Sequence, residues 1–283
     1  MTTLTPQIDH VVITVSDQLN KANFQYQKLG FTITPRGHHS LGTSNNLAIF
    51  STTYLELLGF EPQNANKVDK SWRFANGLTG LVFKTSNADE LYQQLVNNGI
   101  KVEGEEPRSF YRPVELNDGT LADACFKTVR LDPTYTPNGQ IFFCDQLTPE
   151  LVWRKEWQNH PNGVININQV IIEAQNPLSS IKLLEKTFPS AKIIDVDGGV
   201  RLKADHKYID YLTPSATQRL FGSSLSKADN DQDRKVALGF TTKSLSQTQQ
   251  ALESGKIKFD LQNNTIVVPA SETYGVVMIF SQL

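Results

Sequence analysis

An α+β fold of four βαβββ modules, paired into two curved mixed sheets, is the architecture this chain predicts. Three observations lead there. Four times along the sequence an apolar strand-like run is followed by a short amphipathic helix and then by more strand-like runs. One such unit has an apolar sheet face that it cannot bury alone, so units should pair into larger curved sheets with helices outside. Finally, 283 residues suit two domains at about 100–200 residues each.

The first module opens with Ile8-Asp9-His10-Val11-Val12-Ile13-Thr14-Val15. A helix follows with Leu19, Ala22, Tyr26 and Leu29 on one face, the stripe of a helix packed on a sheet. The module closes with Thr53-Tyr54-Leu55-Glu56-Leu57-Leu58. In the second module the opening strand is Gly80-Leu81-Val82-Phe83-Lys84-Thr85, the helix stripe Ala88, Leu91 and Leu95, and the last strand Ile141-Phe142-Phe143-Cys144. The third runs from Asn168-Gln169-Val170-Ile171-Ile172, through Leu178, Ile181, Leu184 and Phe188, to Lys207-Tyr208-Ile209-Asp210-Tyr211-Leu212. The fourth has Ala237-Leu238-Gly239-Phe240-Thr241, a helix with Leu245, Thr248 and Leu252, and the closing Val276-Val277-Met278-Ile279-Phe280.

Residues 1–150 are thus expected to form one domain, 151–165 a linker and 166–283 a second domain. Proline, glycine and asparagine punctuate the seam up to His160-Pro161-Asn162-Gly163. Its tryptophans, Trp153 and Trp157, indicate a segment that packs down. The Ser-, Lys-, Asp- and Gln-rich stretch 223–233 reads as an exposed connection.

Net charge is −2 and the pI about 6.2, without a basic stripe interleaved with aromatics, which argues against a nucleic-acid partner. No apolar run approaches the roughly 18 residues of a membrane span, and Met1-Thr2-Thr3-Leu4-Thr5-Pro6 does not read as a signal sequence. A cytoplasmic protein is expected, with Cys125 and Cys144 as buried thiols rather than a disulfide framework. Ser-His-Asp order, a phosphate-cradling glycine loop and Cys-x-x-Cys spacing are all missing, so hydrolase, nucleotide-dependent and zinc-finger readings lack support.

Several polar residues are candidates to line a site. Arg108, Ser109 and Arg112 lie in a long second-module connection, and paired arginines can hold a carboxylate or phosphate. Asn45 and Asn46 precede an apolar strand and either cap a turn or reach the ligand. His38 and His39 are adjacent, so at most one faces a given side of a strand.

Four segments, Ile8-Asp9-His10-Val11-Val12, His39-Ser40-Leu41-Gly42-Thr43-Ser44-Asn45, Tyr54-Leu55-Glu56-Leu57 and His160-Pro161-Asn162-Gly163, resemble the vicinal oxygen chelate superfamily. That is the glyoxalase, bleomycin-resistance and extradiol-dioxygenase group, and within it the likeness is to uncharacterised bacterial glyoxalase-like proteins. The resemblance implies that the first strand of a module presents His or Gln, and its last strand Glu, to a shared divalent metal. His10 and Glu56 match those places. Imidazole and carboxylate suit Fe, Mn, Ni, Zn or Co, and open positions on the ion let two neighbouring substrate oxygens chelate it. In module two the matching places fall on Gly80 and on Phe143 or Cys144, so His39 is the preferred third ligand or proton-moving group.

Module three keeps Gln169 and Asp210 at the matching places, a second candidate pair. Either the C-terminal half is a structural partner, or modules one and three face each other and assemble His10, Glu56, Gln169 and Asp210. The resemblance implies a metal-dependent lyase, isomerase or dioxygenase acting on a small oxygenated metabolite. His10 and Glu56 would then hold the metal, Glu56 or His39 would move a proton, and Arg108, Arg112, Asn45 and Phe143 would contact substrate. The alternative is a metal-free protein that sequesters a small aromatic or antibiotic-like ligand, and a third reading is a structural module that forms a homodimer.

Overall fold

The computed structural model describes residues 4–67 and 76–283. Sixteen strands among them form two eight-stranded mixed sheets. The first contains β1 (Ile8–Ser16), β2 (Gly37–His38), β3 (Ser44–Ile49), β4 (Tyr54–Gly59), β5 (Gly77–Thr85), β6 (Arg108–Glu115), β7 (Leu121–Arg130) and β8 (Gln140–Gln146), in the order β2-β3-β4-β1-β5-β8-β7-β6. The second contains β9 (Val164–Glu173), β10 (Ile193–Val196), β11 (Gly199–Ala204), β12 (Lys207–Leu212), β13 (Arg234–Thr242), β14 (Asp260–Gln262), β15 (Thr265–Val268) and β16 (Val277–Gln282), ordered β10-β11-β12-β9-β13-β16-β15-β14. Each sheet is two βαβββ modules joined by an antiparallel central pair, β1 with β5 and β9 with β13. Within each module the first and last strands run parallel, as a helical crossover requires.

Helices α1 (Leu19–Lys28) and α2 (Ala88–Asn97) serve the first sheet. The second has α3 (Pro177–Ser180), α4 (Lys182–Thr187), α5 (Pro214–Phe221) and α6 (Leu245–Ser254). Asn87 caps α2 by accepting the Glu90 N–H, Ser244 caps α6 by accepting that of Gln247, and Asp89 and Glu90 sit in the first turn of α2, where the helix dipole favours negative charge.

Two expectations are corrected here. The third-module stripe breaks between α3 and α4, so Ile181, Leu184 and Phe188 are buried but Leu178 is exposed. Helices α1, α2, α4 and α6 lie behind the concave faces and are outside on one side only, the other side of each entering a core that both sheets share. Buried residues from the helix side of both sheets make one continuous core, in which Phe188 packs on Phe83 and Phe143 and Phe31 packs on Phe240 and Phe280. Gly30, at φ +82°, ends α1 where a Cβ would sit 2.8 Å from that of Asn162 and 2.9 Å from that of Ala251, so only glycine permits this approach.

The linker is stapled into the same junction. His160 Nδ1 accepts the Thr32 N–H at 3.0 Å, and its Nε2–H donates to the Ile49 carbonyl at 2.8 Å. Asn162 donates to the Leu29 carbonyl at 2.9 Å. Lys235 reaches across from the second sheet to donate to the Thr79 carbonyl at 2.9 Å, and burial pushes its amine down to about 7.

The concave faces of the two sheets differ. The first curls until its edges meet, the Ser40 N–H donating to the Tyr111 carbonyl at 2.9 Å, and this leaves a hollow. In the second, α5 fills the equivalent space: Ala216 and Phe221 pack on Ile171, Leu212, Val236, Ala237, Val267 and Val277. Thr213 caps this helix and Pro214 opens it, a start signal that lies beyond the four-module pattern.

Candidate functional site

Alternation along four strands decides which side chains enter the N-terminal cup. On β4, Tyr54, Glu56 and Leu58 face it while Leu55 and Leu57 face the helix-side core. On β1, His10 faces the cup and Val11 and Ile13 the core. The parallel register pairs His10 with Tyr54 and Val12 with Glu56, so the imidazole and the carboxylate are near neighbours. His10 Nε2 is 3.7 Å from Glu56 Oε2.

His10 is held from behind. Against β5 the register of β1 slips between Ile8 and His10, and this bulge brings the Asp9 carboxylate to the neighbouring ring. His10 Nδ1 donates to Asp9 Oδ2 at 2.7 Å, which leaves Nε2 as the ring nitrogen that faces the cup. Asp9 is itself fixed by the Gln146 amide at 2.8 and 3.1 Å, and Gln146 accepts the Trp153 indole N–H at 2.9 Å. Tyr54 stacks on the His10 ring with centroids 4.3 Å apart. The linker thus takes part in positioning His10 through Trp153, and neither Asp9 nor Trp153 was a sequence candidate. The bulge that turns Asp9 inward has no signature in the residue pattern.

His39 lies across from this pair, its Nε2 3.9 Å from Glu56 Oε1. Burial, followed by Arg112, His10 and His38, lowers its pKa to about 3, so it is neutral at ordinary pH. Its Nδ1–H then donates to Thr43 Oγ1 at 2.7 Å, and Nε2 faces the Asn45 amide at 3.1 Å. Asn45 Nδ2 also donates to Glu56 Oε1 at 2.7 Å. His38, one residue earlier, is exposed. Asn45 and Asn46 stand within β3 rather than capping a turn.

The connection expected around Arg108, Ser109 and Arg112 is the edge strand β6. Its Arg108, Phe110 and Arg112 face the cup and pair with β7. Pro113 is tolerated because an edge strand leaves one side without ladder bonds.

The Phe143 assignment is overturned. Gly80 pairs with Gln140 as His10 pairs with Tyr54, so the place matching Glu56 is Phe142, which lines the cup with Cys144. Phe143 points the other way, into the core with Phe83 and Phe188. A one-residue shift on a strand exchanges its faces.

The second candidate pair is adjacent but closed. Gln169 donates to Asp210 at 2.7 Å, and Arg201 binds the same carboxylate through two bonds of 2.6 and 2.7 Å. His10 and Glu56 belong to one sheet and Gln169 and Asp210 to the other, so the four do not assemble.

The cup is a small cavity of about 50 Å³. A ligand fitting this shape would put a small polar head inside and a tail between Leu41, Leu47, Phe110, Phe126 and Phe142.

The fit to a metal follows from the donors. One ion bonded at about 2.0–2.2 Å to each atom would bridge the 3.7 Å span between His10 and Glu56, and the Asp9–His10 bond is the usual support of a metal-binding imidazole. As the side chains stand, His39 Nε2 is turned to Asn45, and among the described residues no group of three or more His, Cys, Asp or Glu closes on one point. The pair fits an ion as two protein ligands. A third requires the Asn45 amide to give way.

A curled sheet of two βαβββ modules with an imidazole and a carboxylate in its hollow defines the class as the vicinal oxygen chelate superfamily. Within it, the chain belongs to the glyoxalase-like domain family, whose model matches residues 8–188. A hypothetical protein from Staphylococcus aureus superposes with a TM-score of 0.69 at 13% identity, over 98% of this chain and 99% of that one. A triple mutant of 4-hydroxymandelate synthase from Streptomyces coelicolor gives 0.56 at 14% identity, over 99% and 93%. These likenesses show the fold. No curated protein matches the sequence. No helix among the described residues is long and apolar enough to cross a membrane.

Proposed function

We propose that the protein is an enzyme acting on a small oxygenated metabolite in the N-terminal cup, with a divalent transition metal held by His10 and Glu56. The observation that carries this reading is the 3.7 Å approach of His10 Nε2 to Glu56 Oε2, backed by the Asp9 bond. When bound there, such an ion supplies Lewis acidity toward two neighbouring substrate oxygens.

The chain's own residues do the rest. Asp9 and Tyr54 fix the His10 ring, Asn45 orients Glu56 through its Oε1, and apolar walls keep water from the reacting atoms. Glu56 is the only acidic side chain among the described residues that line the cup, and it is the group to hold or move a proton there. His39, neutral with its Nε2 toward Glu56, is the proton's alternative stop. Isomerase, lyase and dioxygenase chemistry all make use of such a set.

The test is metal analysis of protein purified without chelator, followed by metal titration of wild type, His10→Ala and Glu56→Ala. Stoichiometric uptake by wild type, lost in both variants while circular dichroism is unchanged, is expected. Equal uptake by all three overturns the site.

A second reading, a metal-free binder, is favoured by the apolar lining and by the Asn45 amide already bonded to Glu56. Under it, the two alanine variants keep ligand affinity within a few fold, and Phe142→Ala weakens it.

A further inference from the structure

We infer that the ligand of the N-terminal cup is a small carboxylate with a hydrogen-bond donor on the adjacent carbon, an α-hydroxy or α-amino acid in class, held by Arg112 and Asn45. The inference rests on the cup being a ligand site, as proposed above, and not on its holding a metal.

Two buried polar atoms lack partners there. Arg112 is 4% exposed, and among the described residues its Nη2 has no hydrogen-bond partner. Nor does any carboxylate of those residues pair with the guanidinium within 4.0 Å. Burial disfavours the charged guanidinium, and Tyr54 and Glu56 oppose this only from beyond contact; an incoming anion in contact would offset the cost of burial. The planar fork of arginine matches a carboxylate.

Asn45 supplies the complementary need. Its Nδ2 is committed to Glu56 Oε1 and faces the lone pair of His39, which fixes the amide the other way round and leaves Oδ1 as the buried atom without a partner. A carbonyl oxygen in that position calls for an O–H or N–H donor. Asn45 and Arg112 both line the cup, and the two side chains pack together over Gly37. A Cβ there would lie 2.5 Å from Asn45 Oδ1 and 3.0 Å from Arg112 Nη1. An acceptor-seeking cation beside a donor-seeking carbonyl describes a carboxyl group with a neighbouring hydroxyl or amine. A water molecule could satisfy the carbonyl but would not neutralise the charge.

The probes are phenyllactate, phenylpropanoate lacking the hydroxyl, and phenylpropanediol lacking the carboxylate, titrated calorimetrically with EDTA present throughout. Wild type is expected to bind phenyllactate best. Arg112→Met should weaken that binding about tenfold to a hundredfold, the value of a hydrogen bond to a charged group, and remove the advantage over the diol. Gly37→Ala should also weaken it, because the added Cβ would displace the Asn45 and Arg112 side chains.

Urea unfolding without ligand separates this from a structural role. Arg112→Met should unfold at a midpoint no lower than wild type, because the charge it removes is buried and has no carboxylate of the described residues in contact. The inference is overturned if wild type fails to prefer phenyllactate over the diol or binds none of the probes. It is equally overturned by unchanged phenyllactate affinity in Arg112→Met, or by a lower urea midpoint of that variant. Metal uptake without carboxylate preference sinks this inference and leaves the metal reading standing, and carboxylate preference without metal uptake does the reverse.

Discussion

Acid should loosen the junction between the two halves through His160. The ring is buried, its Nδ1 accepts from the Thr32 N–H and its Nε2–H donates to the Ile49 carbonyl, so a second ring proton would meet a donor. Burial, only partly opposed by the Ile49 bond, lowers its pKa from 6.5 to about 4. Between those values the unfolded chain carries a proton that the native state refuses, so stability is complete above pH 6.5 and falls as pH drops toward 4. At about 1.4 kcal/mol per pH unit for one proton, the loss over the window is about 3 kcal/mol. His39 titrates in an overlapping window, so the His160 share must be read as a difference. Urea unfolding of wild type and His160→Asn at several pH values between 6.5 and 4 supplies it. The variant should start about 1–2 kcal/mol less stable near neutrality through its lost bond, and its stability should fall less steeply by about 1.4 kcal/mol per pH unit. Equal slopes would refute the reasoning.

Asp9→Asn should weaken metal binding by about 10–100-fold without unfolding the protein, measured by competition against a chromophoric chelator; unchanged affinity would separate Asp9 from the role of His10. Phe143→Ala should destabilise by about 3–5 kcal/mol in urea unfolding while ligand affinity holds, and Phe142→Ala should chiefly lower affinity. Arg201→Met strands the Asp210 carboxylate and should cost about 2–3 kcal/mol. That figure lies below the roughly 3–5 of a fully buried pair because Arg201 keeps 27% of its side chain exposed. Stability within error of wild type would mean that Asp210 takes up a proton instead.

The modules were legible because burial follows periods of 2 and 3.6 that the residues display: Tyr54, Glu56 and Leu58 against Leu55 and Leu57 on β4, and Leu19, Ala22 and Tyr26 on α1. Arg108 to Val114 alternates just as clearly, the even-numbered residues facing inward, although the sequence reading places a connection there. Phe142 and Phe143 are chemically alike, so only pairing with β5 could assign their faces. Asp9 needed the bulge, and Arg201 needed the register that sets it opposite Asp210. These relations between strands are set by tertiary pairing, to which a pattern read along one strand is blind.

In the C-terminal sheet, α5 and the Arg201 pair occupy the place that the N-terminal sheet leaves open. One half therefore carries its own permanent occupant, and the other waits for one. Opening free energies should be graded along the chain, with amides of β3, β4 and β6 exchanging through a partial unfolding that leaves β9 and β13 protected. A ligand that fills the N-terminal cup would raise only that lower threshold, so hydrogen exchange of the two sheets, compared within one molecule, reports occupancy without any knowledge of turnover.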